Sequence, residues 1–286
     1  MYFIKPCCNG KEVSPPSIRW ALARGISEPI FQPVELSKNY QFFDSFLSFL
    51  PTVFHQFIMW CTIYKSIKKR MAIMYTISIM NAKGGVAKTT TALCLASYLA
   101  SKNQKVLFLD LDPQANATKS YLKISVGYSA PPPTLYEVLY SYVMENRKNI
   151  VEEAIKQVRP NLDLLPATQK MEPFKDLVKS NSRRALDVLK FVMKPLQKQY
   201  DYLIIDCPAD LSVYVENAIE MSDAILCPTT YDLYGLDGLS LVIPVMLEIK
   251  GDDFGNFRVL YTMHNPRATK IQEDIGKQAK MLDSMG

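Results

Sequence analysis

The sequence lacks the patterns of a disulfide scaffold and of a metal–thiolate site. Its six cysteines, Cys7, Cys8, Cys61, Cys94, Cys207 and Cys227, form no CxxC pair and no zinc-ligand spacing. That excludes zinc modules and points to a reducing, cytoplasmic setting. Cys94 and Cys227 fall in apolar segments, where buried thiols are ordinary. Net charge is lacking too, in the part that matters. Residues 71–286 hold 24 Lys/Arg and 24 Asp/Glu, so the overall +5 sits entirely in the first 70 residues. Bulk basicity therefore does not direct the main region to nucleic acid, and any such affinity has to come from a local patch. There is no internal repeat, and the one low-complexity patch, Ala130-Pro131-Pro132-Pro133, reads as a stiff connector.

What is present is enough apolar material for a large core. A chain of 286 residues, 48% hydrophobic, suits one large α/β domain with an appendage. The appendage is residues 1–70. It holds both tryptophans, eight of the thirteen phenylalanines and half the cysteines, and no sustained period appears before Phe42. Within it, residues 46–64 (FLSFLPTVFHQFIMWCTIY) carry no charge and are followed by KSIKKR. Length and basic flank suit a membrane span with residue 65 onward inside; Pro51, His55 and Gln56 dilute it. No small-residue cleavage site follows, which excludes a signal peptide. Three readings stand: a membrane anchor, a partner-binding arm, or an over-extended start with Met71 or Met74 as the true first residue.

From Met74 the pattern becomes regular. Apolar strands are expected at 75–81, 105–112, 161–167, 200–208, 223–230 and 257–265, and helices at 88–101, 134–143, 149–158 and 173–199. Several strands are continuously apolar, as when both faces of a sheet are covered. Strand–helix alternation with such strands predicts an α/β, doubly wound, mostly parallel sheet.

The stretch MNAKGGVAKTTT (80–91) joins the first of these strands to the first helix. A loop in that position points backbone N–H groups at one spot, and the helix dipole adds partial positive charge. That is an anion site suited to phosphate. Gly84 and Gly85 allow close approach of the backbone, Lys88 would reach the β- and γ-phosphates, and the Thr89 hydroxyl is placed to ligate Mg²⁺. The strict pattern G-x-x-x-x-G-K-[ST] fails, because Ala82 and Ala87 stand at both of its glycines. A positive φ at Ala87 would cost roughly 1 kcal/mol or more, so Ala87 is expected in an ordinary backbone region. K-G-G-x-x-K-T arises by chance on the order of once in a million positions.

KGGVAKTT resembles the deviant Walker A box of the ParA/MinD group of P-loop ATPases. The resemblance covers about residues 74–286 and implies P-loop NTPase architecture, with Lys83, Gly84, Gly85, Val86, Ala87, Lys88, Thr89 and Thr90 holding Mg²⁺ and ATP. In that family the early lysine, here Lys83, reaches across a homodimer to the partner's ATP. Such a cation would neutralise the facing triphosphates and make dimerisation depend on nucleotide. LFLDLDPQANAT resembles the family's switch I, D-x-D-P-Q-G-N, which gives Asp112 the task of aiming the attacking water near Mg²⁺, while Asp110 supports the strand end. LIIDCPADLS resembles Walker B with switch II, which puts Asp206 on the Mg²⁺ shell; Ala209 departs from the usual D-C-P-P. By the same resemblance Pro228 and Asn265 flank the base and Arg267 matches a DNA-contacting arginine.

The resemblance implies a slow ATP hydrolase, nucleoid-associated in the cytoplasm, with non-specific DNA and a ParB-like protein as partners, serving plasmid or chromosome partition. The family fold continues past the last residues here, so residues 71–286 read as the ATPase domain shortened at its C-terminus. Two rivals follow: a MinD-like membrane-positioning ATPase using 46–64 as its anchor, and a non-hydrolysing binding remnant. An iron–sulfur reductase sharing the box would need paired cluster cysteines, and Cys207 and Cys227 are wrongly placed.

Overall fold

The computed structural model describes residues 3–4, 74–125, 127–145, 149–181, 185–230, 235–252 and 254–263. Among the described residues, eight strands form one sheet: β1 (Phe3–Ile4), β2 (Tyr75–Ile79), β3 (Val106–Asp110), β4 (Lys156–Arg159), β5 (Leu162–Leu165), β6 (Tyr202–Asp206), β7 (Ala224–Thr230) and β8 (Phe257–Thr262). Their order is β1-β8-β7-β2-β6-β3-β5-β4. Every pairing from β8 through to β5 is parallel, and the two outermost pairings, β1–β8 and β4–β5, are antiparallel.

The helices are α1 (Lys88–Ser101), α2 (Asn116–Leu122), α3 (Leu135–Val143), α4 (Val151–Ala154), α5 (Met171–Asn181), α6 (Val188–Met193), α7 (Val213–Met221) and α8 (Gly235–Lys250). β2, β3 and β6 are buried along their whole length. Strand alternation sorts their side chains into two cores. Val106 and Phe108 join Ile77, Ile204 and the α1 residues Leu95 and Leu99 on one face. Leu107 and Leu109 join Leu203, Ile205 and residues of α3 to α8 on the other. The sheet is therefore covered on both sides, as its apolar strands predict.

Two helix expectations are corrected. Only Val151–Ala154 of 149–158 is helical; Lys156–Arg159 turns into an edge strand pairing with β5. Val158 is the one apolar residue of these four, so the segment carries no strand pattern of its own, and pairing with β5 imposes the strand. The 173–199 segment is not one helix but α5, α6 and two 3₁₀ turns, Ala185–Asp187 and Lys194–Leu196, the second containing Pro195.

Register is what builds the site. Ile79 and Asp110, the last residues of β2 and β3, both lie opposite Asp206 at the end of β6. The loop after β2 and two carboxylates thus meet at the carboxyl edge of the sheet, where ligands of such folds bind.

Candidate functional site

The loop between β2 and α1 is an open cradle. Gly84 and Gly85 are exposed, and a methyl group at either would meet nothing within 4 Å. Gly85 has φ 74°, which glycine adopts without cost. At the mouth of α1 there is no acidic residue in the first turn and no side-chain cap, so its leading amides are left for a guest. Ala87, before the helix, has φ 65° and ψ 32°. The expectation of an ordinary backbone there is wrong: the turn into α1 requires the left-handed region whichever residue occupies it. The alanine methyl is accommodated at a cost of about 1 kcal/mol.

Lys88 opens α1 and is 7% exposed. Its Nζ donates to the carbonyl of Lys83 at 2.9 Å, which holds the ammonium beneath the loop. Burial pulls its pKa below the usual lysine value, against the opposing influence of the Asp206 and Asp112 carboxylates. Lys83 Nζ donates to Thr230 Oγ1 at 3.3 Å, at the end of β7.

Asp206 is fully buried, and neither of its carboxylate oxygens has a partner in hydrogen-bond geometry. Burial, then the charge of Asp110, pushes its pKa well up; the Thr89 hydroxyl and Lys88 pull it back. A buried carboxylate whose oxygens lack well-formed hydrogen bonds is costly unless a cation or a proton meets it. Oxygen ligands from Asp206, Thr89 and the half-buried Asp112 suit a hard divalent ion, so Mg²⁺ fits this donor set. Among the described residues no group of three or more His, Cys, Asp or Glu could hold a metal unaided. Mg²⁺ commonly keeps several waters and takes phosphate oxygens, so one or two carboxylates suffice.

Asp110 is different in kind. Its oxygens are occupied: Oδ2 accepts from Thr118 N at 2.8 Å and from Thr118 Oγ1 at 2.7 Å, and Oδ1 from Asp112 N at 3.2 Å. Burial pushes its pKa up to about 7, partly offset by these bonds. Asp112 Oδ1 accepts from Gln114 N at 2.9 Å, closing a tight turn ahead of α2.

Several supports of the loop escape the sequence reading. Asn81, 1% exposed, donates from Nδ2 to the Pro228 carbonyl at 2.8 Å and accepts from Lys83 N at 2.9 Å, so it ties the loop's entrance to β7. Thr262 Oγ1 lies 3.1 Å from the Val86 carbonyl and 3.2 Å from that of Thr229, sharing one proton between them. Gly238 in α8 presses on Asn81: a methyl there would sit 1.9 Å from Oδ1 and 2.9 Å from Lys83 Cβ. A glycine inside an otherwise apolar helix was the available signal.

Of the residues expected at the site, Lys83 to Thr90 form the loop and the opening of α1, with Asp206 and Asp112 close enough to shift Lys88. Pro228 is buried in β7 with its carbonyl engaged by Asn81. Asn265 and Arg267 lie outside the described residues, as does segment 46–64. No helix among the described residues is long and apolar enough to cross a membrane.

Comparison with known proteins agrees with this geometry. A family model described as an AAA domain matches residues 74–256. The chain is similar to the chromosome partitioning protein ParA of Caulobacter vibrioides (strain NA1000 / CB15N), 29% identical over 71% of this chain and 74% of that protein. It is 34% identical to the chromosome partitioning protein ParA of Myxococcus xanthus over 67% of this chain and 66% of that one. Among solved structures, a putative plasmid partition protein from Borrelia burgdorferi bound to AMPPNP superposes with a TM-score of 0.57. It is 28% identical, with 72% of this chain and 83% of that chain covered.

Proposed function

This chain belongs to the ParA/MinD type of P-loop ATPases, and from that premise we propose that it works as a partition ATPase. It binds Mg·ATP, pairs with a second copy across the nucleotides, and holds DNA without sequence preference in that state. Slow hydrolysis, stimulated by a ParB-like partner, resets it. The ATPase domain is 71–286, and of the first 70 residues Phe3–Ile4 adds an edge strand to its sheet.

The observation that carries this reading is the open cradle beside the fully buried Asp206 carboxylate. Uncapped α1 amides and two lysines supply the positive side; Asp206, Thr89 and Asp112 supply oxygen ligands for Mg²⁺. The Borrelia relative was solved with an ATP analogue. In this reading Lys83 to Thr90 wrap the phosphates, and Lys88 neutralises the β- and γ-oxygens. Asp112 orients a water in line with the γ-phosphorus. The water oxygen forms the new P–O bond as the bond to the ADP oxygen breaks, and the water's proton leaves with the products, ADP and phosphate. Mg²⁺, when bound, draws negative charge off the phosphate oxygens. Lys83 sits at the rim of the loop, where a cation can serve a second nucleotide. Pro228 and Asn265 flank the base, and Arg267 contributes to DNA contact.

Light scattering on the full chain with Mg·AMPPNP tests the dimer. The wild type is expected to dimerise, and Lys83→Ala to bind nucleotide yet stay monomeric. An equally dimeric Lys83→Ala protein refutes the cross-subunit role, and a wild type that binds no nucleotide removes the enzyme reading altogether. Anisotropy of a labelled random-sequence duplex, with ATP against ADP, tests the DNA step.

A further inference from the structure

We propose that Asp110 is a positioning residue: a buried clamp that closes the 111–118 loop at both ends and thereby sets the place of Asp112. This rests on the reading above that Asp112 aims the water.

Asp110, Thr118 and Ala167 are all 0% exposed. One oxygen of Asp110 takes the amide of Asp112, at the start of the loop. The other takes both the amide and the hydroxyl of Thr118, in the first turn of α2. The Thr118 hydroxyl in turn accepts from the amide of Ala167 at 2.9 Å, just beyond β5. A single carboxylate therefore ties the end of β3, the first turn of α2 and the segment after β5 into one unit. Leu111 N donates to the Asp206 carbonyl at 2.9 Å, which fixes the loop's base against the strand carrying the other carboxylate.

With three donors on two oxygens and no exposure, Asp110 cannot also reach a substrate, so its part is to hold rather than to react. Asp112 is held differently. Its Oδ1 accepts from Gln114 N, and the residue is half-buried at the sheet edge. Displacement of a reacting group's support by as little as an ångström can cost about a hundredfold in rate. The clamp is what prevents that displacement here.

The test uses the full chain with Thr118→Val, which keeps shape and the backbone N–H but removes the hydroxyl, and with Thr118→Ser, which restores it. Asp110→Asn is the more drastic companion. Three readouts are taken: amide hydrogen exchange over 111–118, the Kd of a fluorescent ATP analogue with Mg²⁺, and single-turnover hydrolysis. Thr118→Val is expected to speed exchange across 112–118 about tenfold and to lower kcat about tenfold, with Kd unchanged within about threefold. Thr118→Ser is expected to recover both. Unchanged exchange overturns the clamp. So does a fall in kcat matched by an equal loss of nucleotide affinity, or one that serine fails to rescue. If the wild type binds but does not hydrolyse ATP, the catalytic reading fails by itself. Exchange then decides the clamp: faster exchange confined to 111–118 upholds it, and unchanged exchange ends it.

Discussion

Two strand–loop–helix units sit side by side at the carboxyl edge of the sheet, built alike and finished differently. β2 leads through a loop to α1, and β3 leads through a loop to α2. Each helix is preceded by an alanine in the left-handed region, Ala87 at φ 65° and Ala115 at φ 55°. At α2 a carboxylate of the chain itself, Asp110, occupies the helix mouth by accepting from Thr118 N. At α1 no side chain caps the leading amides. The same geometry that needs an anion is satisfied internally in one unit and left for an external anion in the other. The filled unit shows what the open one is for.

The largest expected effect tests the open unit. Lys88→Ala removes the buried ammonium under the loop and should weaken binding of a fluorescent ATP analogue on the order of 100-fold. A smaller loss would mean that amides alone hold the phosphates. Gly84→Asp offers the cradle a carboxylate of its own, as Asp110 does for α2. Gly84 has open space around it, so melting temperature should hold while nucleotide affinity falls about tenfold. Undiminished affinity would show that the two helix mouths are not equivalent.

Gly238→Ala pushes a methyl into Asn81, the tie between the loop and β7. Overpacking of this kind costs roughly 1–3 kcal/mol, readable as a lower denaturation midpoint and weaker nucleotide binding. A neutral result would mean that α8 can shift without disturbing the loop.

The filled unit makes a prediction about pH. Asp110 is raised from 3.8 to about 7 and Asp206 is raised as well, both chiefly by burial. Between the unfolded and folded values the folded state therefore holds more protons. Stability is full at low pH and is lost as pH rises through the folded value. Nucleotide-free protein should become less stable to urea from about pH 4 to 7, and Asp110→Asn should flatten that slope. A slope of opposite sign would show that the pair is ionised in the folded state. The smallest effects concern the two alanines. Ala87→Gly and Ala115→Gly each relieve a left-handed methyl and should stabilise by about 0.5 kcal/mol at most in denaturant melts, net of glycine's greater freedom when unfolded.

The contrast also marks what the sequence could reveal. The parallel strands were legible because they are apolar throughout, and α1 was legible down to its first and last residues, Lys88 and Ser101. The loop was legible because two glycines and two lysines between a strand and a helix have few other uses. Ala87 was misread because alanine carries no sign of a left-handed backbone; the turn imposes it. Thr118, Asn81 and Thr262 were missed because their bonds span 8, 147 and 176 residues, and local pattern does not record such pairings. The Lys156–Arg159 strand was missed because it exists only as a partner to β5.

The most direct measurement is residue-resolved amide exchange with and without Mg·AMPPNP, comparing the two helix mouths in one experiment. Protection is predicted to appear at residues 84–90 and to stay unchanged at 116–118. Protection gained equally at both mouths, or at neither in a protein that demonstrably binds the nucleotide, would contradict the account.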